Sequence, residues 1–194
     1  MAINLQKGAT ISLEKETPGL SGVVLGAGWG KKVGKGFFGG RKETAIDLDA
    51  SCLIFDENRE LIDAVWFRQL RSKDDAIRHS GDDLTGGGGA DDPNEEISVQ
   101  LNQVNPKVKS LVFTINSFSS DSFEGIPNAF CVLKNAANGA GIARFDLTVE
   151  GGNHTGLIMA KLYRHNNQWK FKALGEWGEG RTFDKLLPNI LPHI

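Results

Sequence analysis

Short segments in which apolar and polar residues alternate recur along the whole chain and constrain its fold more than any other feature. In "AIDLDASCLIF" the apolar residues Ile46, Leu48 and Ala50 alternate with polar ones, which is the period of two expected of a strand buried on one face. Turn signals separate such segments, and helical periodicity is scarce. The pattern predicts an all-β chain that folds as an antiparallel β-sandwich with long loops.

The other predicted strands are rich in β-branched or apolar residues and end at turn residues. A short C-terminal helix is predicted in "RTFDKLLPNIL", with Thr182 as its N-cap. With 194 residues, the chain is long enough for one domain with a real core, so a single domain over 1–194 is expected. The predicted strands are "GVVLGAGW", "LIDAVWF", "EEISVQL", "SLVFTINSF", "AFCVLKN", "IARFDLTV", "GLIMAKLYRH" and "WKFKALGEW".

Composition and charge exclude several classes of function. The 22 basic and 24 acidic residues nearly cancel, and the net charge of −2 provides no global field for nucleic acid. The start of the chain lacks a signal-peptide core, and no apolar run reaches the length of a membrane span, so we expect a cytoplasmic protein, with a peripheral position at the inner membrane face as an alternative. Cys52 and Cys131 lie in apolar runs and are interpreted as buried, reduced thiols rather than a disulfide.

Motifs of the common enzyme classes are absent or incomplete. "GWGKKVGKG" resembles a phosphate-binding loop, but its spacing is one residue short and Gly36 stands where a serine or threonine is needed. "GAGWG" is not followed by a helical pattern, which argues against a dinucleotide fold. The four histidines are scattered and neither cysteine has an evident partner. The sequence therefore predicts no catalytic or cofactor-binding residue and no enzymatic activity.

Carboxylates concentrate in two places, the strand segment "DLDAS" and the loop segment "HSGDDLTGGGGADDPNEE". Asp47 and Asp49 are two residues apart, so on a strand their side chains leave the same face. The loop adds further carboxylates, and its glycines Gly86 to Gly89 allow the tight turns that present backbone carbonyls. Calcium takes about 6–8 oxygen ligands of these two kinds, whereas Mg²⁺ keeps more water. From spacing alone, a calcium loop and a merely solvated acidic loop both remain open.

A basic, glycine-rich stretch lies between Gly26 and Lys42. Its composition is compatible with a loop that places aromatic rings in an anionic bilayer surface. The alternative is a flexible surface insertion whose rings pack on the domain or on a partner. The residues of the membrane hypothesis are Lys31, Lys32, Lys35, Phe37 and Phe38.

Five ordered motifs, together with the opening segment, give the chain a resemblance to a known family. The motifs "DLDASCLIFD", "HSGDDLTGGGGADD", "NSFSSDSFEGIPNAFCVL", "IARFDL" and "LYRHNNQWKFKALG" resemble the TerD family of bacterial tellurium-resistance and stress proteins. The segments "SCLIFD", "WFRQL" and "NAFC" most resemble the TerZ branch of that family. The resemblance implies a calcium-binding β-sandwich without enzymatic activity. It also implies a role in resistance to tellurite, phage and colicins, with other Ter proteins or membrane-associated stress proteins as partners.

The resemblance also implies which residues bind Ca²⁺, and it shows where this chain departs from the family pattern. Gly87 and Gly89 replace acidic residues, and Pro93 and Asn94 stand as an insertion before the glutamates. We therefore expect one calcium site, or weaker sites, instead of the full set. The implied ligands are Asp47, Asp49, Asp82, Asp83, Asp91, Asp92 and Glu95.

Overall fold

Strands form most of the protein. A computed structural model describes residues 2–35, 40–81, 83, 92–119, 122–124, 126, 129–147 and 152–194. The strands are β1 (Ile3–Asn4), β2 (Thr10–Ser12), β3 (Val23–Gly28), β4 (Lys32–Lys35), β5 (Arg41–Thr44), β6 (Leu48–Asp56), β7 (Leu61–Val65), β8 (Ile77–His79), β9 (Glu95–Val99), β10 (Val108–Ser117), β11 (Phe130–Asn135), β12 (Gly141–Asp146), β13 (Gly156–His165) and β14 (Gln168–Gly178). The helices are α1 (Leu13–Glu16), α2 (Leu187–Ile190) and the 3-10 helices Phe183–Leu186 and Leu191–His193.

Two six-stranded sheets pack against each other. The first has the order β1-β12-β11-β3-β9-β8, and the second has the order β2-β14-β13-β10-β6-β7. Among the described strands, every pairing is antiparallel except that of β1 with β12. The predicted antiparallel β-sandwich is confirmed.

The core lies between the sheets, and β6 shows how the sequence pattern builds it. Ile46, Leu48, Ala50 and Cys52 belong to the main buried cluster, which also takes in residues of both sheets. Leu53 and Phe55 point to the other side of β6, into a second buried cluster. The period of two therefore continues along the strand, but both of its faces are covered.

The second cluster is closed by the C-terminal segment 183–194. Leu186 and Ile190 are fully buried there. Leu186 packs over the paired glycines Gly156 and Gly178, where added Cβ atoms would lie 2.8 and 2.6 Å from its Cδ2 atom. The predicted C-terminal helix is confirmed, but Thr182 does not cap it through the backbone, because its hydroxyl donates to the Asp184 carboxylate instead.

The basic stretch forms a separate hairpin of β4 and β5. Its base is closed by Trp29, whose indole nitrogen donates to the Ile46 carbonyl at 3.3 Å and whose backbone N–H donates to the Asn94 side chain at 2.9 Å. The hairpin therefore leaves the sandwich where β3 ends and β6 and β9 begin, which we call the acidic end. Phe37 and Phe38 lie outside the described residues, as do the side chains of Lys32 and Lys35.

Candidate functional site

Two carboxylates are buried at the acidic end. Asp49 of β6 is 5% exposed and Glu95 of β9 is 1% exposed. Burial of a carboxylate in ionised form is costly unless donors or a cation compensate its charge. These two residues, one on each sheet, place two buried carboxylates at this end of the fold.

Glu95 ties together segments that are far apart in sequence. Its Oε2 atom accepts the backbone N–H of Ala50 at 2.7 Å, and its Oε1 atom accepts the backbone N–H of Asp83 at 3.0 Å. Strand β7 pairs with β6 only from Cys52 to Phe55, so it does not reach Ala50. Glu95 supplies the acceptor at this uncovered edge, which links the two sheets.

His79 supplies the matching donor. Its Nε2 atom lies 3.1 Å from the Ala50 carbonyl oxygen and 3.3 Å from Glu95 Oε2, and its Nδ1 atom accepts the Gly81 N–H at 3.0 Å. Because Nδ1 is an acceptor, the hydrogen-bond network assigns the ring proton to Nε2. An imidazole in this form adds no positive charge beside Glu95.

The return of the acidic loop to β9 is held by Pro93 and Asn94. Asn94 accepts the Trp29 N–H through Oδ1 and donates through Nδ2 to the Asp83 carboxylate at 3.0 Å. Pro93 lies over Gly26 of β3, where an added Cβ would be 2.6 Å from its Cγ atom. Pro93 and Asn94 thus fasten the loop to the hairpin and to β3.

The structure places the predicted ligands unevenly. Asp83 and Glu95 share a hydrogen bond, and Asp49 lies next to Ala50, which Glu95 also contacts. Asp47 is half-buried just before β6, and Asp92 is exposed. Asp82 and Asp91 lie outside the described residues. Within the described ranges, no group of three or more histidine, cysteine, aspartate or glutamate side chains is arranged to hold a metal ion.

The chemistry of these side chains suits a hard cation. Carboxylate and amide oxygens from β6, from β9 and from the described ends of the loop, Asp83 and Asn94, lie at the acidic end, and such oxygens are the ligands that Ca²⁺ prefers. The calcium assignment itself remains a prediction. Sequence analysis missed the roles of His79 and Asn94. His79 lies in "HSGDD" and Asn94 in "PN", but the contacts of both residues depend on strand register, which these segments do not reveal.

Both thiols lie in the main core. Cys52 and Cys131 are both free and fully buried, as predicted. Burial raises the pKa of the Cys131 thiol to about 12. Burial, followed by the charge of Asp63, also raises the pKa of Cys52. Neither thiol is therefore a thiolate near neutral pH, which is the form that nucleophilic or redox chemistry uses.

The fold is all-β and carries buried carboxylates at one end, and comparison with known proteins shows which family it represents. The TerD domain model matches residues 1–188. The chain is 42% identical over 194 residues to the tellurium resistance protein TerZ of Serratia marcescens, covering 99% of this chain and 98% of that one. It is 35% identical to general stress protein 16U of Bacillus subtilis, covering 93% of each.

The chain belongs to the TerD family, whose named members are tellurium-resistance and stress-response proteins. Its fold agrees with that of a solved homologue of the telluride resistance protein TerD, SCO6318 from Streptomyces coelicolor A3(2). That structure has a TM-score of 0.66 at 17% identity, over 84% of this chain and 92% of that one. No helix in the described part of the chain is both long and apolar enough to cross a membrane.

Proposed function

We propose that this protein binds Ca²⁺ at the acidic end and acts in stress resistance, including resistance to tellurite, by binding and assembly instead of catalysis. The observation that carries the proposal is the burial of Glu95, which accepts the Asp83 N–H of the acidic loop, at the end of the sandwich where Asp49 of the other sheet is also buried. Buried carboxylates of this kind are stabilised by a cation that shares their charge.

The side chains that would hold the ion have defined supports. Glu95 is fixed by donors from Ala50 and Asp83, and Asp83 is fixed in turn by Asn94. Asp47 and Asp49 add carboxylates from the start of β6, while Asp82, Asp91 and Asp92 would come from the loop. Bound calcium supplies positive charge that offsets these carboxylates. The chain's own part is to hold its oxygens in place, which lowers the entropy cost of ordering the loop.

The non-enzymatic part of the proposal is supported by the buried thiols. An enzyme acting on tellurite or a similar oxyanion would need a reactive group, and cysteine is the candidate that such chemistry suggests. Both cysteines are sealed in the core with raised pKa values. A surface ordered by calcium and offered to other stress proteins requires no such group.

Thermal unfolding tests calcium binding directly. The full chain is melted in excess calcium, in excess magnesium and in chelator. A ligand at 100 times its Kd adds about 2.7 kcal/mol to the free energy of unfolding, so we expect a rise in Tm with calcium only. Equal melting in all three conditions would reject the proposal.

A second candidate function is calcium-dependent binding to an anionic membrane surface. It is favoured by one observation: Trp29 and Asn94 join the base of the basic hairpin to the return of the acidic loop. Lys31 and Lys42 are exposed on that hairpin, so cations and candidate calcium ligands share one end. Co-sedimentation with anionic vesicles, with calcium and with chelator, tests it; sedimentation that ignores calcium would contradict it.

A further inference from the structure

Three aromatic rings and an arginine form a cluster on the surface beside the acidic end; we call Trp66, Phe67, Arg68 and Phe118 the aromatic knuckle. The ring centroids of Trp66 and Phe67 are 4.8 Å apart, and those of Phe67 and Phe118 are 5.6 Å apart, both edge to face. The Arg68 guanidinium lies 5.6 Å from the Trp66 centroid and 5.2 Å from that of Phe67. Such contacts preorganise the rings and the cation as one unit.

The knuckle is held rigidly although it is partly exposed. Trp66 and Gln69 exchange two backbone hydrogen bonds, of 3.0 and 2.9 Å, so Phe67 and Arg68 form the tip of a tight turn. On the inner side, Phe183 of the C-terminal segment packs edge to face on Trp66 at 5.3 Å. Phe118 is 39% exposed and Leu70, just past the turn, is 44% exposed. Exposed apolar side chains grouped in this way mark a binding surface.

The position of the knuckle connects it to the candidate site. Leu48 of β6 pairs with Ser117 of β10 in the second sheet. Asp47, just before Leu48, and Phe118, just after Ser117, therefore extend from the same end of these two strands. The knuckle therefore adjoins the start of β6, from which Ile46 reaches back to Trp29 at the base of the basic hairpin. Rings, candidate calcium ligands and exposed cations all occur at one end of the sandwich.

We propose that the aromatic knuckle docks into the interfacial region of an anionic phospholipid bilayer. This inference rests on the second candidate function and assigns its apolar contact to Trp66, Phe67 and Phe118. Tryptophan and phenylalanine favour the headgroup region. Among the described residues no carboxylate forms a salt bridge with Arg68. In this inference its N–H groups donate to lipid phosphate.

Charge complementarity favours a bilayer over a folded protein partner. Lys31 and Lys42 are exposed on the hairpin, and together with Arg68 they form a dispersed set of cations, which suits a continuous anionic surface. The nearby carboxylates repel that surface until calcium offsets them. Docking through the knuckle is therefore calcium-dependent.

Vesicle binding by matched variants tests the inference. The full chain is sedimented with phosphatidylcholine vesicles that contain or lack phosphatidylglycerol, in calcium or in chelator. The test variant is Phe67→Ala with Phe118→Ala. The control is Trp169→Ala, because Trp169 is another half-buried ring under an arginine, Arg164 at 4.8 Å, but next to the β13–β14 turn at the opposite end. We expect the double variant to bind anionic vesicles at least about tenfold more weakly, and the control to bind as the parent does.

Quenching of tryptophan fluorescence by brominated lipids gives a second readout that does not depend on deleting a ring. Quenching should fall in Trp66→Phe and persist in Trp169→Phe. Unchanged vesicle binding by the double variant would overturn the knuckle assignment. A parent chain that melts higher in calcium but ignores all vesicles would overturn membrane docking, point to a protein partner for the knuckle, and leave calcium binding standing.

Discussion

The two ends of the sandwich use carboxylates in opposite ways. At the opposite end, Asp56 accepts the backbone N–H groups of Asn58 and Glu60 at 2.8 and 2.9 Å, so it serves the turn in which it lies. At the acidic end, Glu95 accepts N–H groups from Ala50 and Asp83, 45 and 12 residues away. An aspartate that caps its own turn is a local structural device, whereas a carboxylate that gathers distant segments can build a site.

This difference shows why the number of acidic residues alone is a poor guide to a cation site. Asp74, also remote from the acidic end, accepts hydrogen bonds from Ser72, Ala76 and Asn105. These donors come from its own turn and from the segment before β10. The carboxylates of interest are those at the acidic end, beside the loop, and their properties should respond to calcium while those of the opposite end do not.

The largest expected effect is on calcium affinity, which should fall when carboxylates of the acidic end are replaced and stay the same when one of the opposite end is replaced. Replacing Asp47 and Asp49 by asparagine should weaken calcium binding by about 100-fold, because the number of ligand charges sets affinity in such sites. Asp56→Asn serves as the matched control and should bind as the parent does. Titration calorimetry measures both; equal affinity in the double variant would remove these two residues from the site.

The next comparison concerns stability without calcium. Glu95→Ala leaves the N–H groups of Ala50 and Asp83 without their acceptor in a buried setting, which should cost about 2 kcal/mol in free energy of unfolding. Asp56→Ala should lower the free energy of unfolding by less, because water can replace the lost acceptor for the exposed N–H groups of Asn58 and Glu60. Denaturant unfolding in chelator provides the values, and a larger loss at Asp56 would invert the assigned roles.

The third comparison concerns how stability depends on pH through Asp74, a carboxylate remote from the acidic end. Partial burial opposes ionisation of Asp74, but hydrogen bonds from the Ser72 hydroxyl and the Asn105 and Ala76 N–H groups outweigh it and lower its pKa. A lowered pKa in the fold stabilises the protein above the unfolded value, near 3.9 for aspartate, and this contribution is lost as pH falls through the folded pKa.

Asp74→Asn should therefore be less stable than the parent at neutral pH, and the gap should close in acid. The gap should be the same in calcium and in chelator. Thermal melts across the acid range measure it; a gap that widens on acidification would contradict the sign.

The smallest effect is expected for the two cysteines of the main core. Since both cysteines are buried with raised pKa values, a thiol reagent should label the native chain only through rare opening. The same reagent in denaturant should label both cysteines. Rapid labelling of the native chain at neutral pH would revive thiol chemistry as a function.

Sequence periodicity predicts the long strands of this fold because they bury alternate residues in a common core. It does not predict β1, β2 or β8, which have two or three residues each. Strands this short exist because a neighbouring strand offers hydrogen bonds, and a window of two or three residues contains no period. The basic hairpin was missed for a related reason, since "KVGK" and "RKET" do not alternate.

For the candidate site, the sequence predicts which carboxylates lie at the site better than it predicts which residues they contact. Carboxylate spacing drew attention to Asp49, Asp83 and Glu95, which the fold does place at one end. The partners His79 and Asn94 could not be identified from spacing, because their roles follow from the register of β8 and β9 and from the early end of β7. Asp82 and Asp91, outside the described residues, stay predictions.

Trp29 fastens the base of the basic hairpin on two sides, to Ile46 and to Asn94. Because β4 and β5 pair only with each other and are fixed at their base, the part of the hairpin beyond the base can change in length and composition without shifting the pairing of the two large sheets. For the experimenter, it is the place to graft an epitope or a reporter peptide while the sandwich keeps its shape.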